Sequence, residues 1–453
     1  MKRLFAVLLL VVMAATAAVA ESPEAVMAEE TQRVSGDYTY EVLEDGTAKV
    51  VKYNGSTDFV VIPATLDDYA VTVIGKNAFS ICNAKAVTVP EGVIKLEEGA
   101  FRYADMTRLT LPDSLTACEG AFKGCWKLDT VVLSDTNTVL KVENRALIDT
   151  REQCLLTILW GKYGAMPFNQ TEYKVPDGIR SIGNYAFEAN DVIQTVALPD
   201  TVSRIGYCGF HSSDGLKTVS FYESAVGSDA ERTGFTLGEY AFSGCEALES
   251  ITLPADCTKI GDYAFSRCKA LESIVLPAGC TEIGDCAFEK CVSLKDCPLP
   301  AALESIGYYA FARCESLEEA ILPDGIKTIG FNAFEGCVNL KKLRLPGSLE
   351  KVGSDAFKDC TRLQTMRTGI NIADNMCSGM TGLTSVEITE GVTSIGRNAF
   401  KGCTALETVT LPASLMEIDA TAFDGCSVSL VVPANSYAEQ YAIYYNIPYT
   451  IAE

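Results

Sequence analysis

The chain has one histidine, His211, and two tryptophans, Trp126 and Trp160, in 453 residues. A single imidazole excludes histidine-rich metal centres, and any Ser/His or Cys/His catalytic pair would have to be built around His211 in GFHSSDG, where the residue reads as surface. No two cysteines are spaced as CxxC, so a zinc site has no framework and no metal is expected. Neither a phosphate loop nor a GxGxxG after a strand is present. Carboxylate pairs are so common in this acidic chain that they mark no hydrolytic site. LPDTV, at 198–202, is internal and lacks the glycine of a cell-wall sorting signal. No catalytic residue and no cofactor is expected.

Long apolar runs are also missing, except at the start. MKRLFAVLLLVVMAATAAVA has basic Lys2 and Arg3, an apolar stretch from Leu4 to Val12, and an AVA end at Ala18–Ala20. Residues 1–20 therefore read as a secretory signal peptide, too short to span a membrane. No cysteine precedes Cys82, so lipid attachment at a signal-peptide cysteine is not expected, and the mature chain should be secreted or at the cell surface. Loss of Lys2 and Arg3 takes the formal charge from -22 to -24. Such a surface repels nucleic acid and anionic lipid, and its simplest use is solubility.

What the sequence does contain is a register. Phe242, Phe265, Phe288, Phe311, Phe334 and Phe357 each follow an alanine and stand 23 residues apart; Phe79, Phe101, Phe122, Phe187 and Phe210 extend the series backwards, Phe400 and Phe423 forwards. The chain is one array rather than several domains. In LESITLPADCTKIGDYAFSRCKAL (Leu248–Leu271), Ile251 and Leu253 share one face of a short strand that Pro254 ends. Ile260, Ala264, Phe265 and Cys268 suit a tight helical turn, with Gly261 at the bend and Asp262 as its cap. One coil cannot stand alone. Its eight or nine buried side chains contribute about 12 to 25 kcal/mol, while ordering 23 residues costs about 1 to 2 kcal/mol apiece. Stacking must supply the difference, with strands paired in parallel and both ends capped.

Eighteen cysteines in an exported chain would suggest disulfides. Ten of them (Cys82, Cys125, Cys245, Cys268, Cys291, Cys314, Cys337, Cys360, Cys403 and Cys426) instead occupy one place, three residues after the phenylalanine. They form a column of small buried residues, read as mostly free thiols, although strands about 4.8 Å apart bring neighbours towards disulfide distance.

The pattern LxxIxLPxxLxxIGxxAFxxCxxL recurs as SLEEAILPDGIKTIGFNAFEGCVNL (Ser316–Leu340) and SVEITEGVTSIGRNAFKGCTAL (Ser385–Leu406), and it resembles the BspA-like leucine-rich repeat family of bacterial surface and secreted proteins. The likeness covers roughly 36–453, with local departures: Gly209 precedes Phe210, and Met376 and Cys377 stand where Ala and Phe are expected. The expected fold is an α/β repeat solenoid, a right-handed leucine-rich-repeat-like stack of about fourteen 23-residue coils with a parallel β-sheet. Residues 1–20 are the leader, 21–35 a flexible lead, 36–70 an N-terminal hairpin cap, 71–430 the solenoid and 431–453 a helix-strand cap. An irregular hairpin coil (134–180) and an insertion (222–234) interrupt the array.

The exposed strand positions are short and hydroxylic in the first half, then become Glu319 and Ile321, Lys342 and Arg344, Thr365 and Arg367, Ser385 and Glu387. Lys342, Arg344 and Arg367 form a candidate basic docking point for an acidic protein segment or anionic glycan; alternatively they pair with Glu319 and Glu387 on a solvated face. The expected function is non-enzymatic recognition outside the cell by a monomer, with a protein or glycan as ligand. Resemblance to the family implies adhesion to host matrix or cell-surface ligands. A polysaccharide-degrading β-solenoid enzyme and a purely structural envelope component are the alternatives. Phe242, Phe265, Phe288, Phe311, Phe334, Phe357 and Phe400 are expected to be core.

Overall fold

A computed structural model describes residues 32–159, 171–225 and 234–452. The leader, most of the lead, Trp160 and the centre of the 222–234 insertion lie outside the described residues.

In most regular coils the chain makes two very short strands and a third side of turns; in the Phe288 and Phe311 coils the first strand is reduced to the bridge between Ser273 and Asp296. Ser250–Ile251 is the first strand of the Phe265 coil and Lys259–Ile260 the second. Parallel pairing in exact 23-residue register joins coil to coil, as in Lys259 beside Glu282 and Ser305 beside Thr328. Alternation buries Ile251, Leu253, Cys257 and Ile260 and turns Thr252 outwards. The third side differs from the expected helical turn. Ala264, Ser266 and Cys268 N–H groups bond three residues back, while those of Tyr263, Phe265 and Arg267 reach carbonyls of the next coil at 2.7–2.8 Å. Tyr263 and Arg267 take left-handed backbone (φ 56 and 63), which prevents a helix from propagating.

Two capping roles also differ. Gly261 is needed for contact rather than for a bend: a Cβ there would lie 2.7 Å from the Leu237 carbonyl oxygen. Asp262 caps the neighbouring coil, its Oδ1 accepting from Asp285 N at 2.9 Å.

The phenylalanines are buried and form a ladder. Rings of Phe242, Phe265, Phe288, Phe311, Phe334 and Phe357 stack at 5.1–5.5 Å with planes within 13°. Beside them, the cysteines of the column from Cys125 onwards donate their thiols to a main-chain carbonyl one coil back, as Cys268 to Phe242 O, Cys291 to Phe265 O and Cys314 to Phe288 O, at 3.1–3.2 Å. Where the Phe210 coil has Ser213 instead, its hydroxyl makes the same bond to Phe187 O at 2.7 Å. Most coils thus place a small donor at this position, while Ala104 and Met380 fill it without one. Burial pushes the Cys291 thiol up to about 12, so it stays protonated and unreactive at neutral pH. Cys291→Ala should cost about 1–2 kcal/mol through the lost bond and void, and Cys291→Ser less. Chemical denaturation of the two variants measures this. In the native protein a thiol reagent should reach the half-buried Cys82 and Cys426 before any other.

Both ends are covered. Strands Gln32–Ser35, Tyr38–Val42 and Ala48–Tyr53 form an antiparallel meander, and the last pairs in parallel with Tyr69–Ile74. The first of these uses residues 32–35, so the end of the stretch read as a lead is ordered. At the other end Ser436 caps helix Tyr437–Tyr444, which lays Ala438, Tyr441 and Ala442 on the core, and Tyr449–Ile451 pairs with Ser429–Val432. This is the one α-helix among the described residues.

The irregular coil is a three-stranded meander, Leu140–Glu143, Ala146–Asp149 and Cys154–Ile158, whose last strand rejoins the array beside Ser181–Ile182. There the core divides into one cluster from Tyr40 to Leu159 and another from Ala146 to Ala442.

Candidate recognition surface

The first strand face carries the residues singled out in the sequence, and its register decides their neighbours. Lys342–Arg344 pairs with Glu319–Ile321, so Lys342 stands beside Glu319 and Arg344 beside Ile321. Thr365–Thr368 pairs with Ser385–Ile388, which sets Arg367 beside Glu387, where Nε and Oε1 are 3.3 Å apart with both side chains exposed. The two strand pairs belong to separate sheets with no ladder between Lys342–Arg344 and Thr365–Thr368. Glu–Lys pairing between neighbouring coils is general on this protein, as at Lys295–Glu272, Lys327–Glu304 and Lys341–Glu318. Exposed pairs of this kind contribute little to stability and can exchange partners with a ligand.

The break between those sheets has a cause visible in the chain. Cys377 follows Phe357 by 20 residues instead of 23, and the LPxx step of the pattern is absent from QTMRTGINIA (Gln364–Ala373). Ala373 stands where the preceding coils have Gly307, Gly330 and Gly353. The turn side stays continuous, with Phe357 N bonded to Met376 O and Cys377 N to Ala399 O. On the first face the strands stay neighbours without a ladder, while the second face parts. On the second face, Lys259–Ile260 through Lys351–Val352 form one sheet and Ser394–Ile395 with Glu417–Ile418 another. Between them lies a notch of about 850 Å³, lined by Glu350, Lys351, Asn371, Asp374, Arg397 and Glu417 among others. The Phe357→Cys377 spacing carried this signal, which the replaced Ala-Phe pair alone did not convey.

A polar seam lies at the other interruption, where the coils of Phe122 and Phe187 meet. Glu119 accepts from Arg204 at 2.6 Å and from Asn184 N at 3.1 Å, and Tyr185 donates to Glu98 at 2.9 Å. Glu188 is buried there, 3.8 Å from Lys123 Nζ and 3.7 Å from His211 Nδ1. His211 is therefore half-buried in the seam rather than a surface residue. Desolvation pushes the Glu188 carboxyl up to about 7, against the pull of Lys123 and Arg102, and lowers the His211 imidazole. A carboxyl with a raised folded pKa takes its proton more readily in the folded state. Its contribution is fully present below its unfolded pKa, near 4.5, and is lost as pH rises through about 7. Glu188→Gln should flatten the fall in unfolding midpoint between these values, read from melting curves across the range. Trp126 packs its ring 5.4 Å from Tyr103 at the surface nearby.

Among the described residues no group of three or more His, Cys, Asp or Glu could hold a metal ion, and no helix is long and apolar enough to cross a membrane. Stacked coils of this length with parallel sheets and a hydrophobic ladder define a leucine-rich-repeat solenoid. The BspA type leucine rich repeat region model matches residues 53–152, 165–229, 236–364 and 370–446, and the chain belongs to that family. Its break between 364 and 370 falls in the short coil. Among solved structures, a leucine-rich repeat protein from Bacteroides ovatus is 21% identical, covering 93% of this chain and 100% of its own, with a TM-score of 0.49. A leucine rich cell surface protein from Faecalibacterium prausnitzii is 21% identical over 86% and 95%, with a TM-score of 0.38. The pneumococcal vaccine antigen PcpA is 17% identical over 93% and 98%, with a TM-score of 0.44. No curated protein matches. The family supports a role in protein binding or recognition.

Proposed function

We propose that this protein is a secreted or cell-surface recognition protein that adheres to host matrix or cell-surface ligands and catalyses no reaction. The observation carrying this reading is the continuous repeat of the BspA type, which yields a long rigid surface suited to a large partner. Its docking point is the first strand face around Lys342, Arg344 and Arg367, flanked by Glu319 and Glu387, and its ligand there is an acidic protein segment or an anionic glycan. The exposed Arg367–Glu387 pair favours this, because a ligand carboxylate or sulfate can replace Glu387 at little cost. The test is binding of the mature chain to arrayed matrix proteins and sulfated glycans. Lys342→Glu with Arg344→Glu should weaken the strongest signal at least tenfold while melting stays unchanged; unaltered binding by the folded variant removes the patch from the reading. Depolymerisation of a uronate polymer by the purified protein would overturn the non-enzymatic assignment.

A further inference from the structure

The second face of the solenoid is a ladder in which each coil's carbonyls receive N–H groups from the next. Ile306 O accepts from Gly330 N at 2.9 Å, Ile329 O from Gly353 N at 2.8 Å, and Lys327 O from Glu350 N at 2.8 Å. At the next step the series stops. Among the described residues no backbone N–H reaches Glu350 O or Val352 O. The ladder resumes one coil later, where Gly396 N donates to Ile372 O at 2.8 Å. On that far rim the Asn371 side chain stands in for a missing carbonyl, its Oδ1 accepting from Thr393 N at 2.8 Å and Ser394 N at 3.2 Å. The far rim is satisfied and the near rim is open.

This gap differs from the other interruption of the same face, between Thr236–Leu237 and Lys259–Ile260. There Gly261 lies directly against the Leu237 carbonyl and no space remains. Beyond Lys351–Val352 the missing three residues leave the notch of about 850 Å³, lined by Lys351 and Val352 on one side and by Ile370, Asn371 and Ile372 on the other. Four carboxylates line it, Glu350, Asp374, Glu417 and Asp419, against Lys351 and Arg397. Arg397 leans on Asp374, its main-chain N–H donating to Oδ1 at 2.7 Å and its exposed guanidinium 4.0 Å from Oδ2. The field within the notch is therefore negative.

We propose that the notch between Lys351–Val352 and Asn371–Ile372, the latter already bridged to Ile395, binds an extended basic peptide segment of a partner protein, which adds a strand to the open edge at Val352. Its N–H groups bond Glu350 O and Val352 O, continuing the ladder that the short coil abandons. Its lysine or arginine side chains meet Glu350 and Glu417. The segment that enters is short, since the strands of this face are two residues long. Binding here is thus brief and additive to a larger contact rather than sufficient alone.

The test uses the full chain and a fluorescein-labelled peptide of alternating valine and lysine, compared with its valine-glutamate counterpart and with a version whose amides are N-methylated. Saturable binding of the lysine peptide, at least tenfold tighter than either comparison, is expected. In a filled variant, Gln364–Ala373 is replaced by a copy of Thr384–Gly396, which restores a 23-residue coil. That copy removes Arg367 and adds two glutamates, so non-specific attraction of a basic peptide does not fall, yet the notch closes. Binding should be lost in it. Glu350→Lys with Glu417→Lys, two exposed changes, should weaken the lysine peptide tenfold and keeps the test decisive if the filled variant misfolds. Equal binding by lysine and glutamate peptides, undiminished binding by the N-methylated peptide or by either variant, or no saturable binding overturns the proposal. Lys342→Glu with Arg344→Glu should leave this signal intact, which separates failure here from failure of the strand-face reading.

Discussion

Phe311→Ala is expected to lower the free energy of unfolding by about 3–5 kcal/mol, the cost of a large cavity in a site that cannot collapse. The ring is almost wholly buried, stacked 5.2 Å from Phe288 and 5.1 Å from Phe334 in nearly parallel planes. Neither neighbour can move into the void, because each is held by its own coil's cross-coil bonds, such as Phe288 N to Ala310 O at 2.7 Å. Stability in a stack is a sum of coil and interface terms, so the loss should appear locally. Hydrogen exchange should rise first in the Phe288, Phe311 and Phe334 coils, ahead of global unfolding in urea. Phe423→Ala should cost less, since that ring is less buried and meets Phe400 on one side and the edge of Tyr441 on the other. An unchanged urea midpoint for Phe311→Ala would show that the ladder is not what holds neighbouring coils together.

The register was legible because it is enforced at every coil. Ile251, Leu253, Ile260, Phe265 and Cys268 repeat at fixed offsets since each must meet its counterpart above and below, and an error in one coil would break two interfaces. The chain also revealed where the array is irregular. What it did not disclose was what each irregularity does in space. The Ala-Phe departure at Met376–Cys377 reads as a conservative change of core residues, and both are indeed buried. The consequential difference is the three-residue shortfall upstream, which acts on main-chain pairing rather than on any side chain. Similarly, the column position of Cys291 was evident, while its thiol's bond to Phe265 O depends on the vertical offset between coils, which no linear pattern encodes. His211 illustrates the reverse case. Its burial beside Glu188 arises from the meeting of two blocks that are distant in sequence.

Ending the chain at Val432 should make the protein associate. Ser429–Val432 receives Tyr449–Ile451 along one edge, through Leu430 N to Pro448 O at 2.8 Å and Ala452 N to Val432 O at 2.9 Å. Without these bonds the strand presents an unprotected edge whose Leu430 and Val432 are otherwise fully buried. Loss of the helix also uncovers Phe423, which Tyr441 covers, and the space that Ala438 and Ala442 fill. The open edge at Val352 is a different matter. It lies inside a stack held together along its turn side and is rimmed by Glu350, Asp374, Glu417 and Asp419, charges that keep out an apolar strand and another copy of the same acidic edge. Negative charge thus limits pairing at the notch to basic segments, whereas apolar burial makes covering of the C-terminal edge obligatory. Light scattering after size exclusion should give growing oligomers for the chain ended at Val432 and a single mass for the chain that retains Tyr437–Ile451. Replacing Val431, the outward-facing residue of that strand, by lysine in the shortened chain should restore much of the monomer, as a charge on an exposed edge blocks strand addition. A shortened chain that stays monomeric and melts unchanged would mean that the last coil can close itself.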